Sequence, residues 1–129
     1  MRDPFVEANA IETLYLQDGK CVMRMPVKDS DLNPYGIIHG GVLYALADTA
    51  AGYAAASGGI LYVTADASMQ YLRPGRDTAY IEAAAETIKQ GKTIAFVRTS
   101  VQDENGTELC AGTFTHCSVR KKGAVTVSE

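Results

Sequence analysis

Asp48 is the residue whose surroundings most clearly ask for chemistry. It lies within His39-Gly40-Gly41-Val42-Leu43-Tyr44-Ala45-Leu46-Ala47-Asp48-Thr49-Ala50-Ala51-Gly52-Tyr53. That stretch reads as a helix that is apolar or small on nearly every face, and such a helix is a buried one. A carboxylate buried there without partners is costly or takes up a proton. A lone Asp is therefore either firmly hydrogen-bonded or kept for a reaction. The residues just ahead favour the reaction. Gly40 and Gly41 fall in the first helical turn, where backbone N–H groups lack intrahelical partners and carry the positive end of the helix dipole. Glycine lets a ligand approach that backbone closely. Such an end polarises a carbonyl and holds a developing oxyanion. Asn33 stands seven residues before Gly40, and Asp48 eight residues after it, about two turns deeper.

The elements that must position these residues are legible from pattern and turn chemistry. Phe5–Ile11 reads as a short helix. Leu14–Gln17 and Lys20–Val27 flank Asp18-Gly19, a hairpin signal. Asp29–Ile38 is a loop holding Asn33-Pro34 and Gly36. Gly41–Ser57 is the one long helix, ended by Gly58-Gly59. Strands are predicted over Leu61–Leu72, Thr78–Ile88, Thr93–Gln102 and Glu108–Val119, with Asn105-Gly106 as the strongest turn. In Thr78–Ile88 the residues Ala79, Ile81, Ala83 and Ala85 share one face. Short connections predict a four-strand antiparallel meander. One apolar helix is buried only if the sheet curls around it, so the class is α+β. Residues 120–129 read as a loose tail. Ile94 and Phe96 lie opposite Ala95, Val97 and Val101, which puts apolar groups on both faces of one strand. The helix covers only one face, so another subunit is expected on the other.

Composition narrows the partners. The chain has 129 residues, suiting one domain, with 47% hydrophobic and 21% charged residues and a net charge of −3. No broad basic face stands out, which argues against nucleic acid. Arg73, Arg76, Lys89 and Lys92 still form local basic pairs that suit a small anion. The first residues lack the apolar core of a signal peptide. The longest apolar-rich run is too short for a membrane span. The three cysteines, Cys21, Cys110 and Cys117, are odd in number and lack metal-ligand spacing, which predicts free thiols in a reducing cytoplasm. Two histidines with no carboxylate partner at ligand spacing fit no metal site. His116 lies in a predicted strand with no evident partner and is assigned no role.

The run Asn33-Pro34-Tyr35-Gly36-Ile37-Ile38-His39-Gly40-Gly41, followed by Leu46-Ala47-Asp48-Thr49-Ala50, resembles the signature of hotdog-fold acyl-CoA thioesterases. The phenylacetate-pathway subgroup is the most similar, and Tyr71-Leu72-Arg73-Pro74-Gly75-Arg76 also resembles it. The resemblance covers about residues 5–120. It implies a hotdog fold and hydrolysis of an aromatic or short- to medium-chain acyl-CoA without a cofactor. It implies that the Gly40 N–H polarises the thioester carbonyl and that Asp48 acts as general base or nucleophile. It also implies that Asn33 orients water or thioester, and that Thr64 stands near the attacking water. The assembly implied is a homo-oligomer, a dimer of hotdogs or a tetramer, with Asp48 facing a thioester held largely by the partner subunit. The subgroup often has Gly-His after the Asn, where this chain has Pro34-Tyr35. This departure leaves the acyl preference open.

Each residue also admits a structural role. Asp48 could be a satisfied carboxylate, Asn33 a turn residue before proline, and Thr64 an ordinary strand residue. Gly40 and Gly41 could answer a tight turn. His39 reads as a helix-start hydrogen-bonding residue rather than a proton-transfer group, and the resemblance places His39, Gly41 and Tyr44 with Arg73, Arg76, Lys89 and Lys92 among the substrate-binding residues. Tyr44 reads as a packing residue or a wall of the acyl pocket. Two other functions use the same fold: a non-catalytic acyl-CoA-binding module, and a dehydratase or hydratase acting on hydroxyacyl thioesters.

Overall fold

Turn and cap chemistry sets the N-terminal region of the computed structural model, which describes residues 2–119. Helix α1 (Pro4–Ala8) starts at Asp3, whose side chain accepts from the Val6 N–H at 3.1 Å, with Pro4 in the first turn. It stops short of the expected Ile11 because Ala10 turns the chain at φ 53°. Strands β1 (Glu12–Gln17) and β2 (Lys20–Pro26) form the expected hairpin. Asp18 and Gly19, at φ 53° and 76°, supply the two left-handed residues of its tight turn.

Helix α2 (Gly40–Ala56) buries Leu43, Leu46, Ala47, Ala50, Ala51, Ala54 and Ala55. These recur at helical spacing and make one stripe. The opposite stripe, including Ala45, Asp48, Thr49 and Gly52, is only half-buried. The expectation of a helix buried all round is corrected here. Small side chains make the whole surface apolar, but the sheet reaches one side of it.

Strands β3 (Tyr62–Tyr71), β4 (Tyr80–Gln90), β5 (Ile94–Asp103) and β6 (Glu108–Ser118) complete a six-stranded antiparallel sheet. Its order is β1-β2-β4-β5-β6-β3, and every strand packs on α2, so the sheet curls around the helix. This is the hotdog arrangement. The four-strand meander needs correction. β4, β5 and β6 do follow one another, but β3 pairs with β6 and not with β4. The connector of residues 72–79 is too long for a tight hairpin. Its start is held at β6, where Leu72 and Arg73 N–H both donate to the Leu109 carbonyl, at 2.8 and 3.2 Å. At its far end the Ala79 carbonyl accepts from Val27 N–H at 2.9 Å, beside β2.

The core lies between sheet and helix. Phe114, Met23, Leu46 and Ile81 are its largest fully buried apolar side chains, each contributing about 1.5–3 kcal/mol. Ala83 and Ala85 point inward with Ile81, as the alternation predicted. On the outer face Ile88, Ile94 and Phe96 remain 40–48% exposed in the isolated chain. β3 is an edge strand, with Val63 56% exposed. No helix among the described residues is long and apolar enough to cross a membrane.

Candidate active site

A bulge in β3 builds the centre of the site. Thr64 pairs with His116, whereas Asp66 pairs with Thr115, so Ala65 is the extra residue. Bulges re-aim side chains, often beside active sites. Here the Thr64 hydroxyl meets the half-exposed stripe of α2 and donates to Asp48 Oδ1 at 2.6 Å. The same Oγ1 lies 3.2 Å from His116 Nε2. Asp48, Thr64 and His116 therefore form one chain of polar contacts across three elements. They open into a pocket of about 520 Å³ whose walls include Ala45, Gly52, Leu61 and Val63. Its far end is polar: Tyr53 Oη donates to Asp3 Oδ2 at 2.7 Å. Burial, then the bond to Asp3, pushes the Tyr53 phenol up to about 12.

His116, to which the sequence assigns no role, stands at one end of this chain of contacts. It is 1% exposed and lies near the ring of Phe114, at a centroid distance of 6.2 Å. Burial holds its imidazole below the ordinary 6.5, although Asp48 pulls the other way. The signal that could have found it is the strand period. Phe114 is a core residue, so the residue two places on also points inward, and a polar group there needs a reason.

Asn33 and Gly40 lie elsewhere. Asn33 Oδ1 accepts from Tyr35 and Ile37 N–H at 2.9 and 3.0 Å, so it organises its loop as an Asx turn. Its amide NH2 has no partner among the described residues and remains a donor. Gly40 opens α2, and its N–H is one of the donors that a helix start leaves without an intrahelical acceptor. Both line a second pocket of about 320 Å³ with Tyr71 and Arg73. Tyr71 Oη donates to the Gly40 carbonyl at 3.1 Å, and a Cβ at Gly40 would lie 3.1 Å from the Tyr71 ring. Gly40 thus has a packing reason as well. Gly41 has none, since a Cβ there meets nothing within 4 Å.

The remaining candidates are dispersed. The exposed His39 side chain makes no cap hydrogen bond; only its backbone carbonyl serves the helix start, accepting from Val42 N–H at 3.0 Å. Its expected side-chain role at the helix start is corrected accordingly. Tyr44 packs edge-on against Phe114 at 5.3 Å and is not part of the larger pocket's wall. Arg73 donates to the Glu108 carbonyl at 2.7 Å. Arg73 and Arg76 precede β4, and Lys89 and Lys92 stand at its other end, all exposed. Eleven strand residues span roughly 35 Å. No cluster of three metal-ligating side chains is present among the described residues.

Within one chain, Asp48 lies eight residues along the helix from Gly40, roughly 12 Å along the axis. Asp48 and Gly40 therefore line two separate pockets of the chain.

The thioesterase superfamily model matches residues 35–110. The acyl-coenzyme A thioesterase PaaI of Escherichia coli is 36% identical over 90 residues, covering 70% of this chain and 64% of that protein. The solved phenylacetic acid degradation protein PaaI of Thermus thermophilus, in a mutant form, superposes with a TM-score of 0.82 at 35% identity, covering 89% of this chain and 98% of that one. A hypothetical thioesterase of Streptococcus pneumoniae TIGR4, solved with coenzyme A, gives a TM-score of 0.81 at 31% identity, covering 86% and 87%.

Proposed function

Because the chain belongs to the thioesterase superfamily, we propose that it is an acyl-CoA thioesterase that releases CoA and an aromatic or short- to medium-chain free acid. The observation that carries this reading is the Asp48–Thr64 pair in the wall of a largely apolar pocket. A pocket with carbon walls accepts an acyl group, and a carboxylate on its rim can activate water or attack the thioester itself. The Gly40 N–H and the Asn33 amide, neither with an acceptor among the described residues, are donors suited to the thioester carbonyl. The relative bound to coenzyme A supports a CoA thioester as substrate. The relatives linked to phenylacetic acid support an aromatic acyl group.

Read as two halves of one site, the Asp48 pocket and the Gly40 pocket call for two copies of the chain. A second subunit docked along the exposed β3 edge would bring its Asp48 toward the Gly40 of the first. A dimer of this kind, or a tetramer using the outer apolar face at Ile88, Ile94 and Phe96, makes a long bare edge strand tolerable. Arg73, Arg76, Lys89 and Lys92 would meet the CoA phosphates from different subunits. The 129 residues act as one thioesterase domain.

A panel of acyl-CoAs, each mixed with the protein and a thiol reagent, tests the reading. Thiol release from aromatic or short to medium acyl-CoAs is expected. No release from any member would leave a non-catalytic binder. Hydration of an enoyl thioester without thiol release would point to a hydratase instead.

A further inference from the structure

His116 raises a question that the thioesterase reading leaves unanswered. An imidazole sits in the core where a carbon side chain would leave no polar atom unpaired, and its Nδ1 is buried without a partner among the described residues. A buried, half-satisfied polar ring costs stability. Its one polar contact among the described residues is the Thr64 hydroxyl.

Proton counting fixes what that contact does. The Thr64 hydroxyl has one hydrogen. It is donated to Asp48 Oδ1 at 2.6 Å, so that hydrogen lies on the line to the carboxyl oxygen. The Oγ1–Nε2 contact at 3.2 Å then needs its hydrogen from the ring. The imidazole is accordingly the Nε2–H tautomer, and its unpartnered atom is a bare lone pair. The other tautomer would face a lone pair toward the hydroxyl and bury an N–H without an acceptor, losing at both ends. Asp48 Oδ2 accepts no hydrogen bond among the described residues and is left open to the pocket.

We propose that His116 is a positioning residue. Its Nε2–H occupies the Thr64 hydroxyl oxygen, keeps the hydroxyl proton on Asp48 Oδ1, and so leaves Oδ2 as the oxygen that acts on water or thioester. This rests on the reading of Asp48 as the reacting carboxylate. The surroundings suit a fixed ring. Gly52 on α2 faces it, and a Cβ there would be in ordinary contact with Nε2 at 3.9 Å. Ala95 of β5 is its neighbour across the sheet, and Phe114 flanks it. The ionisable groups around the same pocket are Asp48, the Asp3–Tyr53 pair and Tyr62, and only Asp48 shares Thr64 with the ring.

His116→Phe keeps ring volume and removes the donor. We expect kcat to fall roughly tenfold to a hundredfold, the loss of one hydrogen bond to a charged acceptor chain, with KM nearly unchanged. The acid limb of kcat/KM should move to higher pH, because a carboxylate with a less firmly held donor binds its proton more tightly. His116→Gln, whose amide N–H reaches about as far as Nε2, should restore part of the rate. His116→Asn, whose donor stands nearer the Nδ1 position, should not. In a Thr64→Val background, His116→Phe should cost nothing further, whereas a purely structural ring would cost the same in both backgrounds. Nitrogen NMR of the folded wild type should show the Nε2–H tautomer, and this reading is independent of any variant's folding. Native kcat and acid limb in His116→Phe, additive losses with Thr64→Val, or an Nδ1–H tautomer would each overturn the proposal. Full activity in Asp48→Asn would remove the underlying assignment and this inference with it. An inactive Asp48→Asn beside a normal His116→Phe would remove this inference alone.

Discussion

Replacing Asp48 by Asn separates chemistry from architecture, because the structure sets the two costs far apart. Asn has the same shape and keeps an oxygen that can accept from the Thr64 hydroxyl, now 2.6 Å from Asp48 Oδ1. The side chain is half-exposed, so removing the charge strands no buried partner. A charge-assisted hydrogen bond becomes a neutral one, worth about 1 kcal/mol. For a domain of this size that moves Tm by roughly 2–8 °C. An amide neither takes a proton at neutral pH nor attacks a thioester. Loss of the base or nucleophile should lower kcat by about 10²–10⁴-fold, or about 2.7–5.4 kcal/mol of barrier. The assay is thiol release from the best acyl-CoA of the panel, run beside thermal melts and sedimentation of both proteins. Near-native turnover in a folded Asp48→Asn would refute the assignment. A variant that fails to fold would show that the carboxylate holds the fold together.

Four further outcomes are expected. Gly112→Ala would drive its methyl into the Ser68 carbonyl and within 2.9 Å of Met69 Cα, both backbone atoms of β3. It should cost about 3 kcal/mol or more, and an unchanged urea midpoint would reject the β3–β6 register. Burial pushes the Cys21 and Cys110 thiols up to about 11, so brief alkylation at pH 8 should label half-buried Cys117 first; equal labelling of all three would contradict the packing. If the exposed basic residues hold the CoA phosphates, KM for acyl-CoA should rise with salt at constant kcat, while short thioesters lacking the nucleotide show no change. His116 is kept neutral in the fold, with its pKa below 6.5, so the unfolded chain binds the extra proton; stability falls as pH drops from about 6.5 toward the lower folded value and no further. Urea midpoints at pH 7.5 and 5 should show this loss in wild type, and a smaller one in His116→Phe.

Local signals carried most of the fold. Asp18-Gly19 and Asn105-Gly106 marked hairpins because few residues accept the backbone angles such turns need. The helix was legible because its apolar stretch is long and ends in Gly58-Gly59. What short-range reasoning could not carry was strand order. The partner of β3 is decided by where residues 72–79 are held, and that depends on the Leu109 carbonyl, more than thirty residues further on. Helix burial failed for a related reason. A run of alanines and glycines is apolar on every side, so composition cannot say which side the sheet will cover.

The site divides along the same line. Asp48 stood out in the sequence by contrast, one carboxylate among small apolar residues, and Gly40 by its place at a helix start. Thr64 carried no contrast, since threonine is ordinary in a strand; only the bulge at Ala65 turns it toward Asp48. His116 lies 52 residues from Thr64; the strand period puts it inward beside Phe114, but nothing near it in the chain says which group it meets. Its purpose becomes visible when the hydrogens are counted. A hydroxyl with one proton stands between a carboxylate and a ring, and only one arrangement satisfies both contacts. The price is the orphaned Nδ1, which a core under selection for stability alone would replace with carbon. That cost is the physical reason to look for the function of His116 at Thr64 and Asp48.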